Sequence, residues 1–265
     1  MPEADAEADL SLLRESAIEA GGIARKYFGG EFKRWSKSPG NPVTEADLEI
    51  DRFLTTRLRG ARPDYGWLSE ETEDNAARLS MRRVFVVDPI DGTIAFMKGK
   101  PHFTICAAVV EDGVPVTGVV YNPISGECFS ARLGHGAYCD GKRIRVSDCD
   151  ALTGCRMAGD RTKLTPDLGW PEMNFESRNS VAYRLSLVAN GTFDAALALS
   201  AKCDWDLAAA DIIVREAGGK VTDHKGAALR YNGPSAIQMS FVAAGPKLHA
   251  QILTQLQNVA RRIET

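Results

Sequence analysis

Val84-Phe85-Val86-Val87-Asp88-Pro89-Ile90-Asp91-Gly92-Thr93 is the stretch whose reading decides the fold. Four consecutive apolar residues, β-branched or aromatic, predict a short strand buried on both faces. The strand is expected to end at Asp88, and a second carboxylate, Asp91, follows three residues later. Pro89 fixes its own φ, has no N–H to continue a ladder, and disfavours helix at Asp88. Gly92 lets the backbone turn and approach a ligand closely. A rigid strand thus delivers two acids and a row of turning amides to one point. Carboxylates hold hard cations such as Mg²⁺, and turning amides hold phosphate oxygens. A strand end with an Asx-type turn accounts for the same residues, so this stretch alone leaves both readings open.

The surrounding chain sets the class. Its 265 residues are enough to bury a sizeable core. Hydrophobic content of 44% and charged content of 25% are ordinary for a soluble globular protein. A net charge of −3 and the lack of a Lys/Arg-rich run argue against a nucleic-acid polymer as partner. No apolar run approaches the roughly 18 residues of a membrane span. The acidic start, Met1-Pro2-Glu3-Ala4-Asp5, is unlike a signal peptide. The six cysteines are scattered without a C-x-x-C pair, as expected of reduced thiols in a cytoplasmic protein.

A helical stripe of Leu10, Leu13, Ala17, Ala20, Ala24 and Tyr27 predicts a helix over about 9–28, with Gly21-Gly22 admitting a close neighbour. Residues 31–42, rich in Lys, Ser, Pro and Gly, read as a basic loop. Thr44 and Asp47 form a capping-box pattern before the apolar face Ile50, Phe53, Leu54 and Leu58. Capping accounts for both residues locally, and dipole stabilisation does the same for Asp206 at the start of a later helix. Tyr65–Leu68 predicts a short strand that ends in the acid cluster Ser69–Asp74. Phe103–Val110, Val114–Tyr121, Cys128–Arg132 and Ala137–Val146 predict an antiparallel meander covering one side of a core. After weak patterning over 147–178 come a helix at 180–191, a strand at 193–199, a helix from Trp205, strands at 220–222 and 241–244, and a last helix from Pro246. His224 and His249 are expected to be exposed. A junction is expected near 150, dividing an N-terminal α+β half (1–150) with the antiparallel sheet and most acids from a C-terminal α/β half (151–265). The alternation of helices and strands gives a layered α/β class.

Two acids three residues apart differ from the D-x-D-G-T pattern of haloacid-dehalogenase-type phosphatases, in which one Asp is nucleophile and the other general acid. No Gly-rich Walker loop, H-E-x-x-H pair or G-x-S-x-G elbow occurs. What remains is a set of carboxylates, Glu70, Asp88, Asp91, Asp206 and Asp47, at strand ends and helix starts, where crevices form in α/β proteins.

V-T-E-A-D (43–47), W-L-S-E-E (67–71), D-P-I-D-G-T (88–93) and W-D-L-A-A-A-D-I-I-V-R-E-A-G-G (205–219) together resemble the inositol monophosphatase superfamily. Its members are Mg²⁺-dependent, lithium-sensitive phosphomonoesterases related to fructose-1,6-bisphosphatase, and the motifs occur in family order. The resemblance implies a layered αβαβα sandwich and two or three Mg²⁺ per site. It implies that Glu70, Asp88 and the carbonyl of Ile90 hold one ion, and that Asp88, Asp91 and Asp206 hold another. Glu70, with the pair Thr93 and Asp47, would position a water for in-line attack on phosphorus. The amides of Gly92 and Thr93 would bind phosphate oxygens, and Asp91 and Asp206 would border the substrate. The family's frequent homodimers make a second copy of the chain a candidate partner, beside a small phosphorylated substrate.

The resemblance thins at the substrate. Inositol phosphatases usually carry a Glu six residues before the W-D tryptophan, where this chain has Leu199. Their G-[ST]-A segment aligns with Asn179-Ser180-Val181, and their G-T-T-N-F with Gly92-Thr93-Ile94-Ala95-Phe96. A pocket built for a polyol needs such polar partners. W-L-S-E-E-T-E-D and G-T-x-A-F look more like bacterial 3′(2′),5′-bisphosphate nucleotidases, with Lys37 and Arg178 as candidates for a second phosphate. Inositol 1-phosphate, histidinol phosphate and fructose 1,6-bisphosphate are the alternative substrates, and a non-catalytic metal- or nucleotide-binding regulator is the alternative class.

Overall fold

The computed structural model describes residues 3–38 and 41–263. The chain opens with α1 (Glu3–Tyr27), a hairpin of β1 (Arg34–Ser38) and β2 (Asn41–Thr44), and α2 (Glu45–Ala61). β3 (Gly66–Ser69), β4 (Arg83–Asp91), the short α3 (Thr93–Met97), β5 (Thr104–Glu111), β6 (Val114–Tyr121), β7 (Cys128–Arg132), β8 (Ala137–Cys139) and β9 (Lys142–Ile144) follow. Next come β10 (Arg156–Gly159), β11 (Asn174–Glu176), α4 (Val181–Ala189), β12 (Ala195–Ala198), β13 (Lys202–Cys203) and α5 (Asp204–Glu216). β14 (Lys220–Thr222), β15 (Ile237–Gln238), β16 (Phe241–Ala244) and α6 (Pro246–Ile263) complete it.

β3 to β9 form a seven-stranded sheet in chain order, antiparallel except for the parallel pair β3–β4. The period-2 geometry of β4 sends Phe85 and Val87 into one core and Val84 and Val86 into another. Leu13, Ala17, Ala20 and Ala24 of α1, with Ile50, Leu54 and Leu58 of α2, cover the first face. Gly21 lies against the Tyr121 ring, where a Cβ would collide. Leu185 and Val188 of α4 and Leu207, Ile212 and Ile213 of α5 cover the second. The sheet is therefore clad on both faces, whereas the meander was expected to cover one side of a core; its strands are apolar on both faces, and α5 arrives from far along the chain.

The second sheet, ordered β11-β10-β12-β16-β14, places Ala196 and Ala243 against α4 and α5. Its other face, with Ala195, Leu197, Val242 and Ala244, packs on Leu248 and Ile252 of α6. The layers run helix, sheet, helix, sheet, helix, the expected αβαβα sandwich.

Three local readings change. β4 does not stop at Asp88: pairing resumes from Asp88↔Cys106 to Asp91↔Thr104, with one extra residue on β4. Pro89 sits in that bulge, where a missing N–H costs no ladder bond. Residues 31–42 are not simply loop but contain the β1–β2 hairpin, paired Arg34↔Thr44 and Trp35↔Val43, in spite of their polar, Pro-containing composition. His249 is buried at 3% exposure, its Nε2 2.9 Å from Thr222 Oγ1; it occupies one turn of α6 that faces β14. All six cysteines are free thiols.

Candidate active site

The bulge in β4 turns two successive acids toward the start of α4 and α5. Asp88 is buried, and its Oδ1 accepts the Ile90 N–H at 3.0 Å. Asp88 Oδ2 is buried with no hydrogen-bond partner among the described residues. Asp91 is also buried and caps α4: it accepts from Ser180 Oγ at 2.6 Å, Ala182 N at 2.7 Å and Val181 N at 3.2 Å. Asp206, half-buried in the first turn of α5, accepts the Cys203 N–H at 2.8 Å, completing the capping geometry expected there. One carboxylate oxygen from each of Asp88, Asp91 and Asp206 lies within 4.8 Å of the others.

Gly92 ends β4 with φ +100° and precedes α3. A Cβ there would lie 3.0 Å from His102 O and 3.1 Å from Ser180 N, so both the left-handed backbone and the close packing require glycine. Thr93, the first residue of α3, has its Oγ1 3.1 Å from Ile90 O and 3.3 Å from Asp47 Oδ1. Asp47 is buried in a capping box: its Oδ2 accepts the Thr44 N–H at 2.8 Å and the Thr44 hydroxyl. The cap and the contact with Thr93 use different oxygens of one carboxylate.

Glu70 follows β3, with its N–H 3.3 Å from Val87 O. The adjoining W-L-S-E-E-T segment is pinned by Asp51, which accepts from Ser69 Oγ at 2.5 Å and Thr72 Oγ1 at 2.8 Å. Glu70 stands outside the three converging acids and pairs instead with Lys37 of β1 at 3.0 Å, while Lys37 also reaches Glu71 at 2.8 Å. Arg178 donates to Glu176 at 2.9 Å and lies over the Phe193 ring.

Like charges crowd into this low-dielectric site, and the acids resist ionisation. Burial, then the carboxylates of Glu70, Asp91 and Asp206, raise Asp88 well above the usual range. Burial moves Asp91 up to about 6 against its three hydrogen bonds, and Asp47 up to about 6 against those from Thr44. Burial, followed by Asp91, moves Asp206 up to about 7. A buried, all-oxygen set with an unpartnered oxygen fits a hard divalent cation such as Mg²⁺.

Ser180 and Thr104, whose hydroxyl oxygens are 2.9 Å apart, were not singled out as site residues. Ser180 caps α4 through the Tyr183 N–H at 2.9 Å, so a Ser before an apolar run was the available signal. Thr104 carried none, because its place follows from strand register. Larger cavities of about 610 and 590 Å³ lie by Trp170 and α6 and along the 153–175 segment, and none of the site acids lines either.

The family model of the inositol monophosphatase family matches residues 5–261. The Nus factor SuhB of Pasteurella multocida is 32% identical over 264 residues, covering 94% of this chain and 95% of that protein. The 3′(2′),5′-bisphosphate nucleotidase CysQ of Aggregatibacter actinomycetemcomitans is 32% identical over 232 residues, covering 82% and 85%. The solved structure of the Thermotoga maritima IMPase superposes with a TM-score of 0.80 at 29% identity, covering 97% of this chain and 99% of that one. The chain belongs to the inositol monophosphatase family, a family of phosphomonoester hydrolases.

Proposed function

We propose that this chain hydrolyses a small-molecule phosphate monoester with Mg²⁺ and water, and that its substrate is a 3′(2′),5′-bisphosphate nucleotide, 3′-phosphoadenosine 5′-phosphate giving AMP. The observation that carries the first part is the convergence of Asp88, Asp91 and Asp206 within 4.8 Å around an unpartnered Asp88 oxygen. Glu70, Asp88 and the Ile90 carbonyl would hold one ion, and Asp88, Asp91 and Asp206 another. Bound Mg²⁺ would neutralise the phosphate dianion, acidify water and stabilise the departing alkoxide.

The chain's own part is orientation and proton traffic. Thr93 Oγ1 has one proton and two acceptors in reach, Asp47 Oδ1 and Ile90 O. With the proton donated to Asp47, the Thr93 lone pairs are free to accept from a water, which Glu70 helps to orient. As that water's oxygen bonds to phosphorus and the ester P–O bond breaks, its proton passes to Thr93 and the Thr93 proton to Asp47. The alkoxide takes a proton from solvent. The Gly92 and Thr93 amides hold the phosphate at the end of β4. On this reading residues 1–150 supply Asp47, Glu70, Asp88 and Asp91, and residues 151–265 supply Asp206 and the pocket for the leaving alcohol.

Leu199 supports the nucleotide over inositol 1-phosphate: it is 38% exposed and cannot accept the hydroxyl hydrogen bonds of a polyol. The test is phosphate release with Mg²⁺ from 3′-phosphoadenosine 5′-phosphate, myo-inositol 1-phosphate, histidinol phosphate and fructose 1,6-bisphosphate. A kcat/KM favouring the nucleotide by ~100-fold, about 2.7 kcal/mol of transition-state discrimination, is expected. Preference for inositol phosphate would overturn the substrate assignment alone; release from none of the four would overturn the hydrolytic one.

A further inference from the structure

Arg78 is buried at 2% exposure, and every N–H of its guanidinium is used. Nε and Nη2 donate to Asp74 Oδ1 and Oδ2 at 2.6 and 2.8 Å. Nη1 donates to Asn232 Oδ1 at 2.6 Å, and Nη1 and Nη2 both donate to Gly233 O at 3.1 Å. The planar five-donor fork of an arginine can serve two sides at once; here one side is local and the other lies 154 residues along the chain. Arg78 belongs to a 3₁₀ turn, Ala76–Ser80, that packs on β3: a Cβ at Gly66 would lie 3.2 Å from Arg78 Cβ and 3.3 Å from its Cα. Glu70 directly follows that strand.

The segment that Arg78 grips leads to Asp206. Asn232 donates its N–H to Asp204 Oδ2 at 2.6 Å, and Gln238 Nε2 donates to Asp204 Oδ1 at 2.8 Å. Asp204, buried at 0% exposure, is the first residue of α5, and its own N–H donates to Ala236 O at 2.9 Å. Asn232 and Ala236 both hold left-handed backbone, with φ +59° and +48°. Such a conformation is costly for a residue with a side chain and persists only where the surrounding contacts impose it. We infer that Arg78, acting through Asn232 and Asp204, is a positioning residue: it fixes the first turn of α5 relative to β3 and so keeps Asp206 converged with Asp88 and Asp91. The inference rests on the reading of those three acids as a divalent-cation site.

The test is the Mg²⁺ affinity of the metal-free chain, measured by calorimetric titration, with Tm recorded beside it. Arg78→Met removes the whole clamp. Asn232→Gly keeps the left-handed backbone and the N–H to Asp204 and removes only the side chain between Arg78 and the loop, so it decides the matter if Arg78→Met does not fold. Each variant is expected to raise the Mg²⁺ Kd by ~10-fold, the effect typical of groups that orient metal ligands. The double variant is expected to bind no more weakly than Arg78→Met alone, because both changes cut one link. Arg156→Met, which removes an ion pair with Asp194 at 2.6 Å, is the control: a lower Tm with the Mg²⁺ Kd unmoved. A native Kd in the folded variants overturns the positioning role and leaves the metal site standing. A Kd raised equally in Arg156→Met also overturns it, since general loosening of the fold would then suffice. If the native chain takes up no Mg²⁺, the reading of the acids as a metal site fails, and the positioning role falls with it.

Discussion

Asp91 joins two tasks in one carboxylate. It fastens α4 to β4 through Ser180 Oγ, Val181 N and Ala182 N, and it converges with Asp88 and Asp206 on a space that could hold a metal ion. Asp91→Asn keeps one carbonyl oxygen but turns an NH₂ toward backbone donors, leaving an N–H unpaired at a cost of about 1–3 kcal/mol. Urea unfolding should show that loss with the protein still folded in buffer. Phosphate release at saturating Mg²⁺ should fall by more than ~100-fold, beyond the usual effect of a residue that only supports a metal ligand. A folded variant working at the parental rate would remove Asp91 from the ligand set. At this scale much was legible: D-P-I-D-G-T placed two acids and a left-handed glycine within six residues, and Thr44 and Asp47 announced their capping box. The contact of Lys37 with Glu70 was not legible. It depends on distance across the fold, and a charged residue in a stretch without periodicity has no local signature for its partner.

Helix α5 is positioned by what β6 lacks. Gly118 faces it, and a Cβ at that position would lie 2.6 Å from Ala209 O and 2.7 Å from Ile212 Cγ2. Backbone and packed side chain cannot both give way, so Gly118→Ala must push α5 off the sheet. Overpacking of this kind costs about 1–3 kcal/mol. Because Asp206 rides on the first turn of α5, the shift should also weaken Mg²⁺ activation, seen as a higher Mg²⁺ concentration for half-maximal rate. Unchanged stability and unchanged Mg²⁺ dependence would show that the helix has slack. The element boundaries followed from patterning where it was strong: the α2 face and the meander lie within a few residues of their expected positions, while α1 ends where its stripe does but begins at Glu3 rather than near Asp9. Patterning failed where tertiary contact overrides composition. The polar β1–β2 hairpin is tied by Lys37 to Glu70 and Glu71, and β4 continues through Pro89 because β5 pairs with it on both sides of the bulge.

Across the whole molecule, two sheets share the α4–α5 layer, and the acids meet where β4 reaches the starts of those helices. Alternation of helices and strands gave the layered class, but the stacking order depends on which face each strand presents, and strands that are apolar on both sides do not declare it. This arrangement concentrates repulsion. Among the described residues, Asp47 and Asp91 sit at about 6, Asp206 at about 7 and Asp88 well above the usual range. An acid whose folded pKa exceeds its unfolded value stabilises the fold fully below the unfolded pKa, and that contribution is lost as pH rises through the folded one. Metal-free protein should therefore lose stability steadily from about pH 4 to pH 8; each pKa unit is worth about 1.4 kcal/mol, and because the sites interact their contributions do not simply add. On the proposed metal reading, Mg²⁺ would bind the ionised carboxylates and should reverse the trend. In excess EDTA, Tm is expected to fall between pH 5 and pH 8. In millimolar Mg²⁺ it should hold or rise over the same interval, with a ligand-concentration dependence set by mass action. Asp88→Asn separates the two contributions: it removes the most strongly opposed charge, so the EDTA profile should flatten and the Mg²⁺-induced rise in Tm should largely vanish. A variant that keeps the full Mg²⁺ shift would show that the ion is held by other groups, and Asp88 would then be a buried acid without the bridging role assigned to it.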